Sequence, residues 1–338
     1  SRGKTVYFSR PSAILPRSDG SWYVVAQGTN EVLLLDPNGV IRERQKGGFQ
    51  GLDRPFGIAS LPDGSLFVTE FNGDRISRMG SAKALTFGSK GRGEGQLLGP
   101  QYVACDDQGY LYVCDYGNAR IVKFDPEGNY VLSFGGPSGS FPGFVGPGGI
   151  VIQDGSLFAA DSFRKAIYTF DLSGNYIATL GEGLLHYPEG LSLWRQGRDL
   201  LVADTDRIVS LNIETETATV VYQSPDRKAR IVGAVADRNG GILACDFDAS
   251  AVLVLAGPGQ LAAGLDVEIE RVMADAFPRV DVDVTVRDRS GNPVIGLDLP
   301  NFHLSERIVT KTSTKEKGVE VEKKTETLSP VGGYEFLG

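Results

Sequence analysis

The chain has 338 residues, among them 44 glycines and 17 prolines, and its hydrophobic content of 41% is enough to close sizeable cores, which excludes a disordered protein. A single core rarely grows beyond roughly 250–300 residues, so two domains are expected. The formal charge of −8 divides evenly between residues 1–256 and 257–338, and neither part has the basic excess with which proteins neutralise phosphates, which argues against a nucleic-acid partner.

In chain order, the first element is a lone strand at Thr5-Val6-Tyr7-Phe8-Ser9, after an opening Ser1-Arg2 that fits either a removed targeting segment or a trimmed chain. A phrase then recurs: a Pro/Gly turn, a short apolar strand, a tight turn, a second strand ending in an acid, and a third strand. It begins loosely at Pro11-Ser12-Ala13 and returns at Pro55-Phe56-Gly57, Pro100-Gln101-Tyr102, Pro147-Gly148-Gly149, Pro188-Glu189-Gly190 and Ile231-Val232-Gly233, with spacings of 41 to 47 residues. That period is the one expected of propeller blades and exceeds that of the common helical repeats. Turns such as Leu61-Pro62-Asp63-Gly64 and Asp125-Pro126-Glu127-Gly128 join successive strands, with glycine supplying the positive φ of a tight hairpin. The reading is all-β, a six-bladed propeller of four-stranded antiparallel blades over residues 1–259. The sixth unit holds only three strands, so the N-terminal strand is predicted to supply its outer edge and close the ring.

Six positions end the second strands: Ala26, Glu70, Asp115, Asp161, Asp204 and Asp246. The five acids are expected to close turns by accepting backbone amides rather than to form a cation-binding ring. Arg75, Arg120 and Arg207 follow three to five residues later, either pairing with acids of neighbouring blades or reaching a partner. The residues at the middle of each opening phrase, Ser12, Phe56, Gln101, Gly148, Glu189 and Val232, are expected at the channel mouth; Phe56, Gln101 and Glu189 are its notable members. One acid and no histidine is a smaller set than a calcium cage or a catalytic zinc needs. His186 and His303 fall in different predicted domains, and there is no Gly-x-Ser-x-Gly or phosphate-loop Lys-Ser/Thr. Asp204-Thr205-Asp206 and Asp246-Phe247-Asp248 lack the rest of a calcium loop, so no cofactor is predicted and structural calcium is only weakly supported. Cys105, Cys114 and Cys245 are odd in number and unspaced for metal, as buried thiols are.

The run Asp115-Tyr116-Gly117-Asn118-Ala119-Arg120-Ile121-Val122-Lys123-Phe124-Asp125-Pro126-Glu127-Gly128, and the glycine-rich connector over residues 87–100 before it, resemble the NHL-repeat family. The resemblance covers residues 1–256 and implies a rigid disc that binds a protein partner. Its expected contact face bears the inter-blade connectors, with Phe49, Arg54, Arg75, Arg92, Arg120, Arg164, His186 and Tyr187 in loops. The competing expectation is a metal-dependent propeller hydrolase or lyase acting on a small lactone, ester or peptide-derived substrate near Gln101 and Glu189.

After Gly259 the pattern changes. Residues 260–278 are expected to be a connector, in which Val267-Glu268-Ile269-Glu270-Arg271-Val272 has the makings of a strand; residues 251–265 are broken by Gly257-Pro258-Gly259 and fall short of the ~20 apolar residues of a membrane-spanning helix. Residues 279–287 alternate strictly between Val and polar residues, the mark of a half-buried strand, and residues 310–327 form a charged hairpin around Gly318. Asn292-Pro293-Val294-Ile295-Gly296-Leu297 followed by Asn301-Phe302-His303-Leu304-Ser305-Glu306 resembles the small Ig-like β-sandwiches that precede von Willebrand factor A domains in bacterial surface proteins. This implies a sandwich over residues 279–338 with residues 331–337 as its last strand and an extracytoplasmic setting; either the natural protein ends here or a further C-terminal domain follows in the full-length protein.

Overall fold

The computed structural model describes residues 8–37, 39–47, 51–61, 63–80, 85–237, 241–255, 265–273, 281–288, 305–316 and 319–330. The chain divides into two compact units, Ser1–Gln260 and Leu261–Gly338. In the first, short β-branched and aromatic runs separated by Asp/Gly turns pair as up-and-down antiparallel sheets, each in sequence order. Blade 1 comprises Pro11–Pro16, Trp22–Ala26, Glu31–Leu35 and Ile41–Gln45; blade 3 comprises Pro100–Cys105, Leu111–Asp115, Arg120–Phe124 and Tyr130–Phe134. Blades 2, 4 and 5 repeat that layout, and blade 6 has Ile231–Ala236, Ile242–Asp246 and Ala251–Leu255 among the described residues. The first strand of each blade packs on those of both neighbours, including the sixth on the first, so the ring is closed and six-bladed.

Second strands are the most deeply buried because sheets stack on both of their faces: Leu111–Asp115 is buried throughout, as is Leu66–Glu70. Fourth strands, at the rim, alternate toward solvent. The start of the chain lies against the last blade. Phe8 packs against the apolar cluster that blades 1 and 6 share, and the Arg10 amide donates to Ser250 Oγ at 3.1 Å. Most of the closing strand predicted at residues 5–9 lies outside the described residues.

Around the channel the backbone comes very close. The Cβ of an alanine at Gly57 would lie 2.5 Å from the Gln101 carbonyl oxygen and 2.7 Å from Tyr102 Cα. The same place in the phrase is Gly149, Gly190, Gly233 and Ala13 in four other blades, but Tyr102 in the third. That one large side chain crosses the axis of the ring. Its hydroxyl lies 2.8 Å from the Ser12 carbonyl and 2.5 Å from that of Val232, in blades 1 and 6, and its ring meets Phe56 edge-on at 5.4 Å. Small hydroxyls strap neighbouring blades together: Ser12 Oγ donates to the Phe56 carbonyl at 2.7 Å, and Ser162 Oγ to that of Pro188 at 2.6 Å.

The second unit contains two antiparallel hairpins, Leu265–Met273 with Asp281–Asp288 and Ser305–Glu316 with Val319–Pro330. The second runs as a ladder from Ser305↔Pro330 to Glu316↔Val319, within the stretch expected to be a charged hairpin; Gly318 lies outside the described residues. Residues 293–297, 301–304 and 331–337 lie outside the described residues. No described helix is long and apolar enough to cross a membrane.

Two tests probe the channel. Gly57→Ala should cost about 1–3 kcal/mol in urea unfolding, because its new methyl meets backbone. Tyr102→Phe, which deprives two buried carbonyls of their donor, should cost about 1–3 kcal/mol with the fold retained by circular dichroism.

The three thiols test burial. Burial pushes Cys105 up to about 12, with Asp106 adding to it, and raises Cys114 and Cys245 as well. A raised thiol pKa means that the native state keeps its proton while the unfolded state loses one. This contribution to stability is therefore complete below pH about 9 and is lost as pH rises toward about 12. At pH 8 the native protein should resist iodoacetamide labelling at all three positions, and the unfolded chain should be labelled at all three.

Candidate functional site

The turns after the second strands and the connectors between blades meet on one face of the disc, and a buried acid organises five of the six junctions. The acid ends its strand opposite the residue that opens the first: Glu70 pairs with Pro55, Asp115 with Pro100, Asp161 with Pro147, Asp204 with Pro188 and Asp246 with Ile231. From there Glu70 accepts the Asp53 amide at 2.8 Å and Asp115 accepts that of Leu98 at 2.7 Å. Asp161 accepts Val145 at 2.6 Å, and Asp204 accepts His186 and Tyr187 at 2.8 and 2.6 Å. These donors belong to the connector that precedes the blade. Amides of the following turn, the donors expected from the sequence, are also used at Asp161 and Asp246.

Arginine completes the junction within its own blade rather than across to a neighbour. Arg75, Arg120 and Arg207 pair with Glu70, Asp115 and Asp204 at 2.9, 2.8 and 2.7 Å. Their remaining donors hold connector carbonyls: Arg120 binds Arg92, Gly93 and Gln96, Arg75 binds Gly51, and Arg207 binds Leu184. Arg164 likewise reaches the carbonyls of Gly143 and Pro142. The contact residues predicted from sequence therefore sort into two groups. Arg75, Arg120 and Arg164 have donors committed to the loops, whereas Arg54, Arg92 and His186 stand exposed. Phe49 lies outside the described residues.

Aromatic side chains stand beside them, of which Tyr187 is expected on this face from the sequence and Tyr116 and Phe163 are not. Tyr116, Phe163 and Tyr187, from three successive blades, form a row with ring centroids 6.5 and 5.7 Å apart. Phe163 is 54% exposed. Tyr187 is half-buried, and burial pushes its phenol up to about 12. Phe71, Tyr116 and Phe247 each directly follow a strand-end acid, a regularity visible in the sequence.

At the channel mouth, Ser12, Phe56 and Val232 are buried in the ring and Gln101 is half-buried. Glu189 is 5% exposed. Burial raises its pKa, opposed by the Arg230 guanidinium, which grips both carboxylate oxygens at 3.0 and 3.1 Å and lies 5.1 Å from the Phe247 ring. Among the described residues no three His, Cys, Asp or Glu side chains group as metal ligands. Two open cavities occur. One of about 590 Å³ lies at the Gly135–Phe141 connector and is lined by Phe134, Phe170 and Tyr176; the other, of about 350 Å³, is polar and lined by Ser9, Arg10, Gln27, Gly28, Asn30 and Arg54.

No family model matches the chain. The E3 ubiquitin-protein ligase TRIM32 of Mus musculus is 26% identical over 184 residues, which is 47% of this chain and 27% of that protein. Protein brain tumor of Drosophila melanogaster is 29% identical over 119 residues, 34% of this chain and 12% of that protein. The chain thus spans about a quarter or less of these relatives, and the matched segments support NHL repeats in the propeller. Among solved structures, virginiamycin B lyase from Staphylococcus aureus superposes with a TM-score of 0.55 at 19% identity, over 72% of this chain and 80% of its own. A gluconolactonase from Xanthomonas campestris gives 0.58 at 11% identity, over 75% and 87%. At such identities the likeness is one of fold: a six-bladed propeller.

The junctions should differ measurably in strength. Asp115→Ala strips an arginine and an amide of a fully buried carboxylate and should cost about 3–5 kcal/mol in chemical denaturation. Asp246→Ala, which loses only amides at 3.4 and 3.1 Å, should cost about 1–2 kcal/mol.

Proposed function

We propose that the propeller is a non-enzymatic scaffold that binds a protein partner through its connector face. The observation that carries this reading is the contrast between the two places where function could reside. On the connector face, backbone-pinned loops present the exposed Arg54, Arg92, Phe163 and His186 beside a half-buried aromatic row. Arginine and aromatic groups on a rigid support are the residue types that dominate protein interfaces. At the channel, by contrast, Tyr102 fills the axis and Glu189 is held by Arg230. NHL-type repeats in the relatives agree with this assignment. The finer reading, an extracytoplasmic scaffold of a bacterial cell envelope whose second unit is an Ig-like sandwich, rests on the phrase within residues 279–306 alone.

The second reading is a metal-dependent hydrolase or lyase at the channel mouth, favoured by the fold shared with a lyase and a gluconolactonase and by the buried Glu189 beside Gln101. It requires the Glu189 carboxylate to leave Arg230.

Affinity capture from a native extract, comparing the wild-type chain with an Arg54→Glu/Arg92→Glu/Phe163→Ala/His186→Ala variant of equal stability, separates the two. A protein retained by the first and lost from the second is the expected result. Equal retention, or one equivalent of divalent metal per chain together with lactone hydrolysis abolished by Glu189→Gln, would replace the scaffold reading with the other.

A further inference from the structure

Blade 1 is the blade without a strand-end acid. Ala26 pairs with Pro11 in the register that sets Glu70 against Pro55 and Asp115 against Pro100. The backbone of the junction is nevertheless kept. The Gln27 amide donates to the Arg10 carbonyl at 3.0 Å, just as Phe71 donates to Arg54 at 2.8 Å and Phe247 to Arg230 at 2.9 Å. Arg10 and Arg54 occupy the same place in consecutive repeats, each with positive φ, 52° and 48°. The charge across the strand pair is also inverted. Opposite Ala26 stands Glu31, where blades 2, 3 and 5 place Arg75, Arg120 and Arg207, and Glu31 is buried against Arg44 of its own blade.

Ala26 itself is buried in an apolar cluster, and beside it the residues that follow its strand and open the phrase, Ser9, Arg10, Gln27, Gly28, Asn30 and Arg54, line a polar cavity of about 350 Å³. Its lining carries two arginines and no acid. The Asn30 carbonyl oxygen is occupied by the Arg54 amide at 2.9 Å. Among the described residues, neither the Arg54 guanidinium nor the buried Gln27 carboxamide has a hydrogen-bond partner, and Arg10 touches only the Phe247 ring, 5.6 Å from its centroid. The neighbouring acids Asp53 and Asp248 are exposed; their charges act on Arg75 and Arg230.

We infer that this cavity is a seat for a carboxylate side chain supplied by the partner, the Asp or Glu of an acidic segment, in the one blade that has no strand-end acid of its own where the others carry Glu70, Asp115, Asp161, Asp204 and Asp246. The inference rests on the scaffold reading and names the chemistry of its partner. Arginine forks fit carboxylate geometry in pairs of parallel hydrogen bonds, and five junctions of the same ring already show a carboxylate accepted at this register. A phosphate backbone is the less suitable occupant, because the seat is one local pair of arginines on a propeller of net negative charge rather than a basic track.

The test is fluorescence anisotropy at low salt with a labelled hexaglutamate peptide, with hexaserine and oligouridylate as comparisons. The expected result is binding of hexaglutamate alone, weakened by salt, and weakened at least about ten-fold in the Arg10→Ala/Arg54→Ala double variant, the equivalent of one charge-assisted hydrogen bond. Ala26→Asp, which sets an acid beside the two arginines, should weaken binding in any variant that folds, at a cost in melting temperature because it faces the buried Glu31. Should that variant fail to fold, the double arginine variant decides alone. Absence of hexaglutamate binding, binding indifferent to the arginines, or equal arginine-dependent binding of oligouridylate would each overturn the carboxylate seat. Capture of a partner through Arg92, Phe163 and His186 would meanwhile leave the scaffold reading standing.

Discussion

A buried carboxylate at the end of a second strand is the interaction on which both the ring and its connector face depend. Five such groups lie at the inner end of a blade, where sheet packing excludes water and a bare charge would be costly. Each is therefore surrounded by donors that arrive from elsewhere in the chain: amides of the connector that enters the blade and, in three blades, an arginine from the adjacent strand. One group thus ties a blade to the segment joining it to the blade before. The glycine-rich connectors, which have few side chains to pack, take their shape from these bonds and from arginine donors to their carbonyls. A loop face fixed in this way loses little entropy when a partner docks, which favours recognition over catalysis by a mobile lid.

The axis of the ring obeys a separate constraint. First strands approach so closely that a Cβ at Gly57, Gly149 or Gly190 would meet the backbone of the next blade, and a ring of six small residues would leave a bore down the centre. Tyr102 fills it. Because its hydroxyl reaches carbonyls of blades 1 and 6 from blade 3, one residue couples the two ends of the propeller across the channel rather than around it. The seam between the first and last blades, where chain connectivity is interrupted, is the place where such a cross-link is worth most.

Much of this was legible in the sequence, and the parts that were not share a cause. Repeat period, strand order, turn positions and the structural use of the strand-end acids all follow from local patterns, so they could be read from one line of residues. The arginines were harder. Arg120 looks like a free surface cation until its distance from Asp115 and from three carbonyls of residues 92–96 is known. Glu189 looked like the reactive group of the mouth because its partner, Arg230, is one whole repeat away in the chain. Tyr102 and Ala26 were visible as the odd members of their columns, but a column read for what it shares conceals what one member lacks.

Repeats of this kind make departures more informative than agreements. Where all blades share a residue, ring closure explains it; where one blade breaks the pattern and keeps the backbone, the symmetry that would have filled the site is gone and a vacancy of known shape remains. Tyr102 is a departure that adds atoms, and it closes the channel. Ala26 is a departure that removes them, and the polar cavity lies beside it on the face where the loops are already fixed. The two together make a nearly symmetric disc uneven: Tyr102 crosses its axis, and the proposed carboxylate seat lies near the seam of blades 6, 1 and 2. A partner that recognises that seat binds the disc in one rotational register out of six, which a symmetric ring could not enforce.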